Sequence, residues 1–568
     1  MILTQKERTC SMKKVTMLLM LGLFMMPQLQ AELFPRIDEI NIENYQTENN
    51  GGIGNMIAGV DVDGDGLIEV YLVNDNWNDA ATGETTPRIF KYERDSNGDW
   101  NMVWGAVVPV TLVDYQNTWP TLSLTDLDDD GKQELTWGVV NSTGTIANPA
   151  RIIVYEHNSG DNFGLDDNGS WVPNSTWTIT AEDGANIRPV NWEVSDIDND
   201  GVDEIIFASR KSSMRFGICS VNDIPDNGDG SETWTLEFSS QDVTYTGDNK
   251  WDVAVLGSNA YFFDETEISK VSWDGSAYTY THLAPLPGGI SFDAVQVYDI
   301  DGDGTEEMIT GEYLYGDGTR NLWLLQEEAD TLKRTALFNI NGPDYLNGGR
   351  LVGGAHGDID ADGYMDFVFG SRFSGLPNGM IFRFEYQGGD IADSLNWEIS
   401  IIDSAYMAVD LADGGIWNVI EIVNMDEDDG LEVLYTSSTS IPYSVEFPTT
   451  SVSAPVIILD SPNTNVAIVE REIEIADTYK LMQNYPNPFN PETTITFHVP
   501  QSERVSLTVY DLKGQEVASL LNESMSAGSY DLKWNGMDSF GNKVSSGVYI
   551  YTITTPSFSE SKSMTILK

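Results

Sequence analysis

Cysteine, histidine and basic residues are all scarce in this chain of 568 residues. It has two cysteines, Cys10 and Cys219, four histidines, and 30 lysines and arginines against 89 aspartates and glutamates. The formal net charge of −59 repels phosphate backbones and anionic lipid, which argues against charge-driven binding to nucleic acid or to a membrane surface. The histidines lie in no pattern typical of a nucleophile, a zinc site or a phosphate loop, so we predict no catalytic residue.

Long apolar runs are absent except near the N-terminus. Two lysines precede an apolar run at 15–26 that is too short to span a bilayer, and the small residue Ala31 follows it. We therefore predict a signal peptide over 1–31, for which Met12 is a more typical start than the first residue, and no transmembrane segment in the mature chain. Removal of this segment leaves Cys219 alone, so no intramolecular disulfide can hold the exported fold together.

The most informative feature that is present is a nine-residue acidic pattern that occurs six times. Its copies begin at Asp61, Asp126, Asp196, Asp299, Asp358 and, less regularly, Asn424. Carboxylates at positions 1, 3 and 5 of a tight loop converge on one point, and glycine at position 6 provides a left-handed turn. An all-oxygen cage of this kind suits a hard cation, above all Ca²⁺.

The start of the pattern is similar to an EF-hand loop, which needs an acid at position 12 and helices on both sides. None of the six copies has a carboxylate at position 12, and the closing acid lies at position 9 instead. Apolar and β-branched residues, which are typical of strands, precede and follow each copy. The sequence therefore predicts a repeated unit of strand, calcium loop and strand.

The spacing of the copies indicates seven repeated units. The interval between the third and fourth copies is long by about one unit, and we place a degenerate copy without metal at 244–252. Each unit has room for two further strands, as at 322–325 with 335–338, and in the last unit at 456–459 with 466–469. Four antiparallel strands repeated seven times predict an all-β fold, a seven-bladed β-propeller, with a linear solenoid as the alternative.

These loops resemble the FG-GAP or VCBS repeats of integrin-α-like propellers over 51–469. In that family each loop joins the first two strands of a blade and binds one calcium ion. By position, the resemblance implies these ligands: Asp61, Asp63, Asp65 and Glu69; Asp126, Asp128, Asp130 and Glu134; Asp196, Asp198, Asp200 and Glu204; Asp299, Asp301, Asp303 and Glu307; Asp358, Asp360, Asp362 and Asp366; Asn424, Asp426, Asp428 and Glu432.

The last copy departs from the family pattern at two positions. Asn424 lowers the charge of the site, and Asp429 stands where the other copies have glycine. Aspartate tolerates the left-handed region better than most residues, so we expect the turn to form and to bind calcium more weakly. The resemblance thus implies about five or six calcium ions with a structural role, because the carboxylates of each loop repel one another without a cation.

Composition changes after the propeller, which we place at 32–469. A charged linker at 470–480 leads to a much less acidic tail, 481–568, in which a proline-rich motif at 485–491 holds the chain extended. Alternating strands follow at 494–499, 505–510 and 548–553, with glycine in the turns between them. This pattern predicts a small immunoglobulin-like sandwich.

The tail closely resembles the type A sorting domain of the type IX secretion system, a relative of the FlgD immunoglobulin-like domain. The matching elements are the proline motif at 485–491, a Val-Tyr-Asp at 509–511, a Trp-Asn-Gly at 534–536, a Ser-Gly-Val-Tyr at 546–549 and the last five residues. The resemblance implies passage through both membranes of a Gram-negative bacterium, with the type IX machinery as partner, and release from or attachment to the cell surface. An accessory sandwich without a sorting role is the alternative.

Three classes of function remain open. The chain is a secreted or surface binding and adhesion module for glycan or protein, a polysaccharide-active lyase or hydrolase, or a structural component of a surface layer. A lyase needs basic and aromatic residues that converge on one pocket, and the sequence shows no such cluster. We therefore favour binding.

Overall fold

The structure is a computed structural model whose description covers most of the chain, with gaps in the connections and at both ends. The described residues are 30–31, 34–41, 52–75, 86–95, 97–113, 119–139, 146, 149–179, 187–210, 213–245, 247–264, 267–286, 289–290, 294–312, 321–328, 331–340, 350–372, 379–404, 418–426, 430–437, 441–442, 451–452, 455–461, 469–470, 479–482, 484, 487, 489, 493–500, 503–525, 528–537, 543–556 and 558–566. The predicted signal peptide before residue 30 and most of the predicted linker lie outside them.

Seven antiparallel sheets follow one another along the chain, and each has four main strands, named here inner, second, third and outer. The strands of blade one are Ile53–Val60, Glu69–Asn74, Arg88–Arg94 and Trp100–Val107. Those of blade two are Thr121–Thr125, Glu134–Gly138, Ile152–Ser159 and Ser175–Trp177. Those of blade three are Pro189–Ser195, Glu204–Ser209, Phe216–Val221 and Trp234–Ser239. Those of blade four are Asp252–Leu256, Asn259–Phe263, Ile268–Trp273 and Tyr278–Leu283.

The remaining three blades follow the same plan. The strands of blade five are Gln296–Tyr298, Glu307–Gly311, Asn321–Glu328 and Thr331–Asn339. Those of blade six are Arg350–Gly357, Asp366–Arg372, Met380–Tyr386 and Trp397–Ser404, beside which Gln30–Ala31 pairs in parallel. Those of blade seven are Val419–Val423, Glu432–Thr436, Val456–Leu459 and, from the start of the chain, Arg36–Ile40.

A few short elements lie outside the main strands. Blade two carries Asn162–Phe163 against its third strand and a small hairpin of Leu165–Asp167 with Ser170–Val172. Ile441–Pro442 pairs with Ser451–Val452, and a 3-10 turn spans Ser394–Asn396.

The seven blades form a closed ring. Each inner strand lies against the inner strand of the next blade, and that of blade seven lies against that of blade one. Seven apolar clusters fill the spaces between neighbouring blades, for example Tyr71 and Trp104 of blade one with Trp137 of blade two. The second strands are buried on both faces, which explains their continuous apolar runs, such as Ile205 to Phe207. The predicted seven-bladed propeller is confirmed.

The N-terminal strand closes this ring, which the sequence did not predict. Arg36–Ile40 pairs with Val456–Leu459 as the outer strand of blade seven, and Ile40 is fully buried in the cluster between blades seven and one. Our assignment of 466–469 to this position was wrong. Only Val469 of that segment is described, and Val469–Glu470 pairs with Gly528–Trp534 in the tail.

The tail forms a sandwich of two antiparallel sheets. One sheet orders Val469–Glu470, Gly528–Trp534, Thr493–Val499 and Lys480–Leu481, and the other orders Glu516–Met525, Glu503–Tyr510, Gly547–Thr554 and Ser559–Ile566. Alternate residues of each sheet point into one core, as Phe497, Leu507 and Tyr551 do. Phe489 of the proline motif is buried in this core, so the motif is part of the fold. The predicted sandwich is confirmed.

Candidate metal centres and the opposite end of the ring

Six acidic loops connect the inner and second strands of blades one, two, three, five, six and seven. Each starts directly after an inner strand, and its closing acid is the first residue of the second strand. All six therefore lie at the same end of the ring, which we call the loop end. The strands on both sides rule out an EF-hand, as the sequence predicted.

The closing acids are buried and share one hydrogen bond. Those of blades one, two and three are at most 1% exposed. In each, one carboxylate oxygen accepts a hydrogen bond from the backbone N–H of loop position 2, as from Val62 to Glu69 at 3.0 Å and from Leu127 to Glu134 at 2.9 Å. The equivalent bonds in the other four blades are Ile197 to Glu204, Ile300 to Glu307, Ile359 to Asp366 and Met425 to Glu432. This bond orients each acid toward its loop.

The carboxylate at position 1 holds the tip of the loop. It accepts a hydrogen bond from the backbone N–H of the position 6 glycine, as from Gly66 to Asp61 at 3.0 Å and from Gly201 to Asp196 at 3.1 Å. The same bond recurs in blades two, five and six from Gly131, Gly304 and Gly363. The position 1 side chain therefore fixes the backbone of the turn that carries the other predicted ligands.

Two positions lie in the left-handed region in each of the five loops that are described in full, and the sequence prediction recognised only one. The position 6 glycines of five loops have φ between 86° and 92°. Position 4 is left-handed as well, and it holds Gly64, Asp129, Asn199, Gly302 and Ala361, with φ from 53° to 74°. Glycine, asparagine and aspartate at position 4 were the missed signal, because these residues tolerate this conformation best.

The predicted ligands converge, and some of their oxygens have no partner. In blade two, ligand atoms of Asp126, Asp128, Asp130 and Glu134 all lie within 4.8 Å of one another, and similar groups occur at Asp61, Asp63 and Glu69 and at Asp196, Asp198 and Asp200. Among the described atoms, Oε1 of Glu134 and Oε1 of Glu204 are buried without a hydrogen-bond partner. Since a buried acceptor needs a donor or a cation, these sites fit a hard cation with oxygen ligands.

Burial also makes these acids resist ionisation in the absence of a cation. It raises the pKa of Glu134 to about 8, raises that of Glu204 to about 8 with help from the charge of Glu237, and raises that of Glu307 to about 7. A buried carboxylate has a raised pKa when nothing compensates its charge. A divalent cation in the loop would supply that compensation and restore the charged form.

Blades one and six place a basic side chain beside their loops. Lys91 is fully buried and its Nζ lies 2.7 Å from Glu69 and 3.4 Å from Asp63. Arg383 occupies the same register in blade six, with Nε 2.6 Å from Asp366 and Nη2 2.9 Å from Asp360.

The corresponding residues of blades two, three and five are Val154, Ile218 and Leu324, which are apolar. In blade two, however, Lys132 of the loop itself places its Nζ 2.9 Å from Asp130. Among the described residues the loops of blades three and five have no such basic partner, so we expect these two loops to depend most on a bound cation.

The loop of blade seven is described only in part. Asn424 accepts a hydrogen bond from the backbone N–H of Asp426 at 3.2 Å, and Glu432 is buried like the other closing acids. The predicted ligand Asp428 and the unusual Asp429 lie outside the described residues. The weaker binding that we expect there stays a prediction.

Blade four has no acidic loop, and our placement of a degenerate copy was wrong. Residues 244–252 lie between blades three and four, and Asp252 begins the inner strand instead of the second strand. The connection between inner and second strands is the two-residue turn of Gly257 and Ser258. This short turn leaves a cavity of about 360 Å³ beside the loop of blade three, lined in part by Asp196, Ser258 and Glu306.

The opposite end of the ring carries a basic and aromatic cluster, which contradicts our expectation that none exists. Arg188, Trp119 and Trp251 each stand just before an inner strand, and Arg210 stands just after the second strand of blade three. The guanidinium carbon of Arg210 lies 4.8 Å from the ring centroid of each tryptophan. Sequence reasoning missed this cluster because it assembles residues from three different blades.

Cys219 and His356 have structural roles. Cys219 is fully buried in the cluster between blades two and three, and burial raises its pKa well above the usual value, so it is an inert thiol. His356 lies in the inner strand of blade six, where its Nδ1 is 2.9 Å from Oε1 of Gln296. Most described tryptophans of the blades pack in the clusters between neighbouring blades.

Comparison with known proteins gives one family match. Residues 487–557 match the FlgD Ig-like domain, and there is no match to an FG-GAP or VCBS family. No curated protein sequence matches the chain. Among the described residues, no helix is long and apolar enough to cross a membrane.

Several solved structures overlap the chain at low similarity. A chain of the Saccharomyces cerevisiae complex of Dbp5 with Nup159 and Gle1 has 6% identity and a TM-score of 0.38, covering 76% of this chain and 95% of that one. PorZ, a surface component of the type IX secretion system of Porphyromonas gingivalis, has 13% identity and a TM-score of 0.18, covering 91% and 81%. An exo-β-1,3-galactanase from Phanerochaete chrysosporium has 9% identity and a TM-score of 0.28, covering 86% and 93%.

Overlaps at these TM-scores carry no argument about function. The propeller is established by its own strand pairing and ring closure. The family match applies to the tail, whose residues 487–557 are similar to a FlgD Ig-like domain.

Proposed function

We propose that this protein is an exported, calcium-stabilised binding module of the bacterial cell surface or its surroundings. The observation that carries the proposal is the repetition of one loop geometry in six blades, with a buried closing acid in each. A ring of this kind provides a rigid platform, and calcium in the loops would stabilise it outside the cell.

The first experiment is thermal unfolding of the mature chain with calcium and with a chelator, with bound metal counted in parallel. We expect five or six calcium ions per chain and a large rise in melting temperature with calcium, because a ligand that binds only the folded state stabilises it. No bound metal and no shift would overturn the calcium role and leave the export proposal untouched.

We propose further that the tail is a type IX sorting domain, as its motifs and its likeness to the FlgD Ig-like domain suggest. In a Gram-negative bacterium that has this system, the chain without residues 481–568 should stay in the periplasm, and the whole chain should reach the surface or the medium. Export of the shortened chain would refute the sorting role. It would not affect the calcium measurement.

Binding is favoured over catalysis by the nature of the loops. Their carboxylates are directed at one another and at backbone amides, which suits a structural metal and leaves no pair in position for acid–base chemistry on a substrate. The ring end opposite the loops is the face that we assign to ligand binding.

A further inference from the structure

The end of the ring opposite the loops holds two arginines that face each other. Arg210 donates a backbone hydrogen bond of 3.0 Å to the carbonyl of Arg188, one step beyond the paired residues Pro189 and Ser209. Directly opposed residues of an antiparallel pair have side chains on the same face with Cβ atoms about 5 Å apart, and like charges in this arrangement destabilise a sheet. The fold therefore holds two positive charges together against their repulsion.

Arg188 is buried, and no acidic group among the described residues compensates its charge. Its residue surface is 5% exposed, its Nε has no hydrogen-bond acceptor, and it forms no ion pair within the part of the chain that the structure describes. A buried charge without a partner strongly destabilises the folded state. In a chain with 89 acidic residues, an unpaired buried arginine is an exception that calls for a compensating anion.

Arg210 is held in place by two indole rings. Trp119 and Trp251 lie 6.2 Å apart in an edge-to-face arrangement, and the guanidinium group contacts both at 4.8 Å. Trp119 has a φ of 37°, which is strained for a bulky residue, and it packs against Val352 of blade six. Strain of this kind at a rigid aromatic support is typical of a functional site.

A third arginine belongs to the same group. Arg151 begins the third strand region of blade two and is fully buried. Burial and the charge of Arg188 lower the pKa of Arg151 to about 9, and burial and the charge of Arg210 lower that of Arg188 to about 10. The three guanidinium groups therefore share one region of positive potential.

We propose that Arg188, Arg210 and Arg151 bind an oxyanion group of a ligand at the end of the ring opposite the calcium loops. Guanidinium groups bind carboxylate, sulfate and phosphate through paired hydrogen bonds, and Arg188 has donors free for them. Arg210 and Trp251 are half-buried, so a ligand approaches from their side. The inference rests on the proposed binding function and specifies its ligand class.

The test uses the mature chain with calcium bound, probed with sodium sulfate and with sodium galacturonate. Sodium chloride at matched ionic strength and neutral galactose are the controls. We expect saturable binding of at least one oxyanion, and a loss of about tenfold in affinity for Arg188→Gln, since a charge-assisted hydrogen bond contributes about that much. Binding of sulfate alone identifies a sulfated or inorganic ligand, and binding of galacturonate alone identifies a carboxylate.

A control variant and a stability measurement make the result decisive. Arg504→Gln removes an exposed arginine of the tail and should leave affinity unchanged. Without added oxyanion, Arg188→Gln should unfold at a higher temperature than the wild type, because it removes an unpaired charge. A lower melting temperature would show that Arg188 has a structural partner, and equal oxyanion binding by both proteins would overturn the site. If the wild-type chain retains its calcium but binds no oxyanion, the oxyanion site is refuted and the proposed calcium role is not affected.

Discussion

At the residue scale, backbone conformation at loop position 4 makes a direct prediction. Among the five loops that are described in full, Ala361 is the one residue at this position other than glycine, asparagine or aspartate, and its φ is 53°. An L-residue in the left-handed region costs about 1–2 kcal/mol, and glycine avoids this cost at the expense of some chain entropy. We expect Ala361→Gly to stabilise the protein by about 0.5–1 kcal/mol.

The matched change tests the same cause in the opposite direction. Gly363, at position 6 of the same loop, has a φ of 90°, and Gly363→Ala should destabilise by about 1 kcal/mol or more although nothing lies near the added Cβ. Both variants are measured by urea unfolding in calcium. If Ala361→Gly destabilises the protein, strain in the backbone at position 361 does not reduce the stability of the folded state.

The closing acids provide a second residue-scale prediction. Glu204→Gln keeps the size of the side chain and its hydrogen bond from Ile197, but removes the charge that a cation needs. We expect one calcium ion fewer per chain, counted by metal analysis. In chelator the variant should be more stable than the wild type by about 1–3 kcal/mol, since an unpaired buried acceptor carries a penalty of that size.

Asp248→Asn is the control, because Asp248 lies in the segment that the sequence suggested and the structure rejected as a loop. It should leave the calcium count and both stabilities unchanged. A calcium count that falls equally in the two variants would contradict the loop assignments.

At the scale of strands, the loops could be predicted from sequence because their ligands lie within nine residues. Chain geometry alone brings positions 1, 3, 5 and 9 together, and the glycine at position 6 marks the turn. The prediction of a degenerate loop at 244–252 was wrong because Asp252 and the apolar residues after it are similar to the start of a second strand. The segment has no glycine at position 6, and no strand directly precedes it, so these two absences were the available warning.

Contacts between distant segments could not be predicted in the same way. The sequence pattern identified Val456–Leu459 as a strand, but its partner Arg36–Ile40 lies more than 400 residues away in sequence. Neither segment has a residue pattern that predicts its pairing with the other. The arginine group has the same property, because Arg151 and Arg188 meet only after blades two and three have packed. The sequence pattern predicts where strands lie along the chain, whereas tertiary packing determines which strands and side chains come into contact.

The closing strand can be tested directly. Ile40 is fully buried between blades seven and one, whereas Ile37 on the same strand is 41% exposed. Ile40→Ala should destabilise by about 2–5 kcal/mol, as expected for loss of a buried branched side chain. Ile37→Ala should change stability by less than about 0.5 kcal/mol in the same denaturant series. Equal effects would show that this strand does not close the ring.

At the scale of the whole molecule, the two folded units differ in their need for calcium. All six acidic loops lie in the propeller, and the tail has its own apolar core around Phe497, Leu507 and Tyr551. We expect calorimetry of the mature chain to show two transitions. A chelator should lower the melting temperature of the propeller by about ten degrees or more, because several calcium sites are lost at once. It should leave the melting temperature of the sandwich unchanged.

The assignment of the transitions can be checked with the tail core. Leu507→Ala should lower only the transition that is insensitive to calcium, because Leu507 is fully buried in the sandwich. A single transition that moves as a whole with calcium would contradict the independence of the two units.

The two ends of the ring also differ in electrostatic character. The loop end gathers the carboxylates, and the opposite end gathers the buried Arg151 and Arg188 and the half-buried Arg210, although the chain carries a net charge of −59. Because calcium neutralises one end and leaves the other unchanged, an anionic ligand should associate faster when calcium is bound, and more so at low salt.

Ring closure by the N-terminal strand sets a limit on how the precursor can be processed. The closing strand begins at Arg36, only a few residues after the predicted cleavage point at Ala31. A peptidase that cut beyond Ile40 would release a chain whose last blade lacks its outer strand and exposes an unpaired edge, a site for aggregation. If cleavage follows Ala31 as predicted, maturation of the N-terminus would be coupled to folding, and the cut would have to fall within the nine residues that end at Ile40.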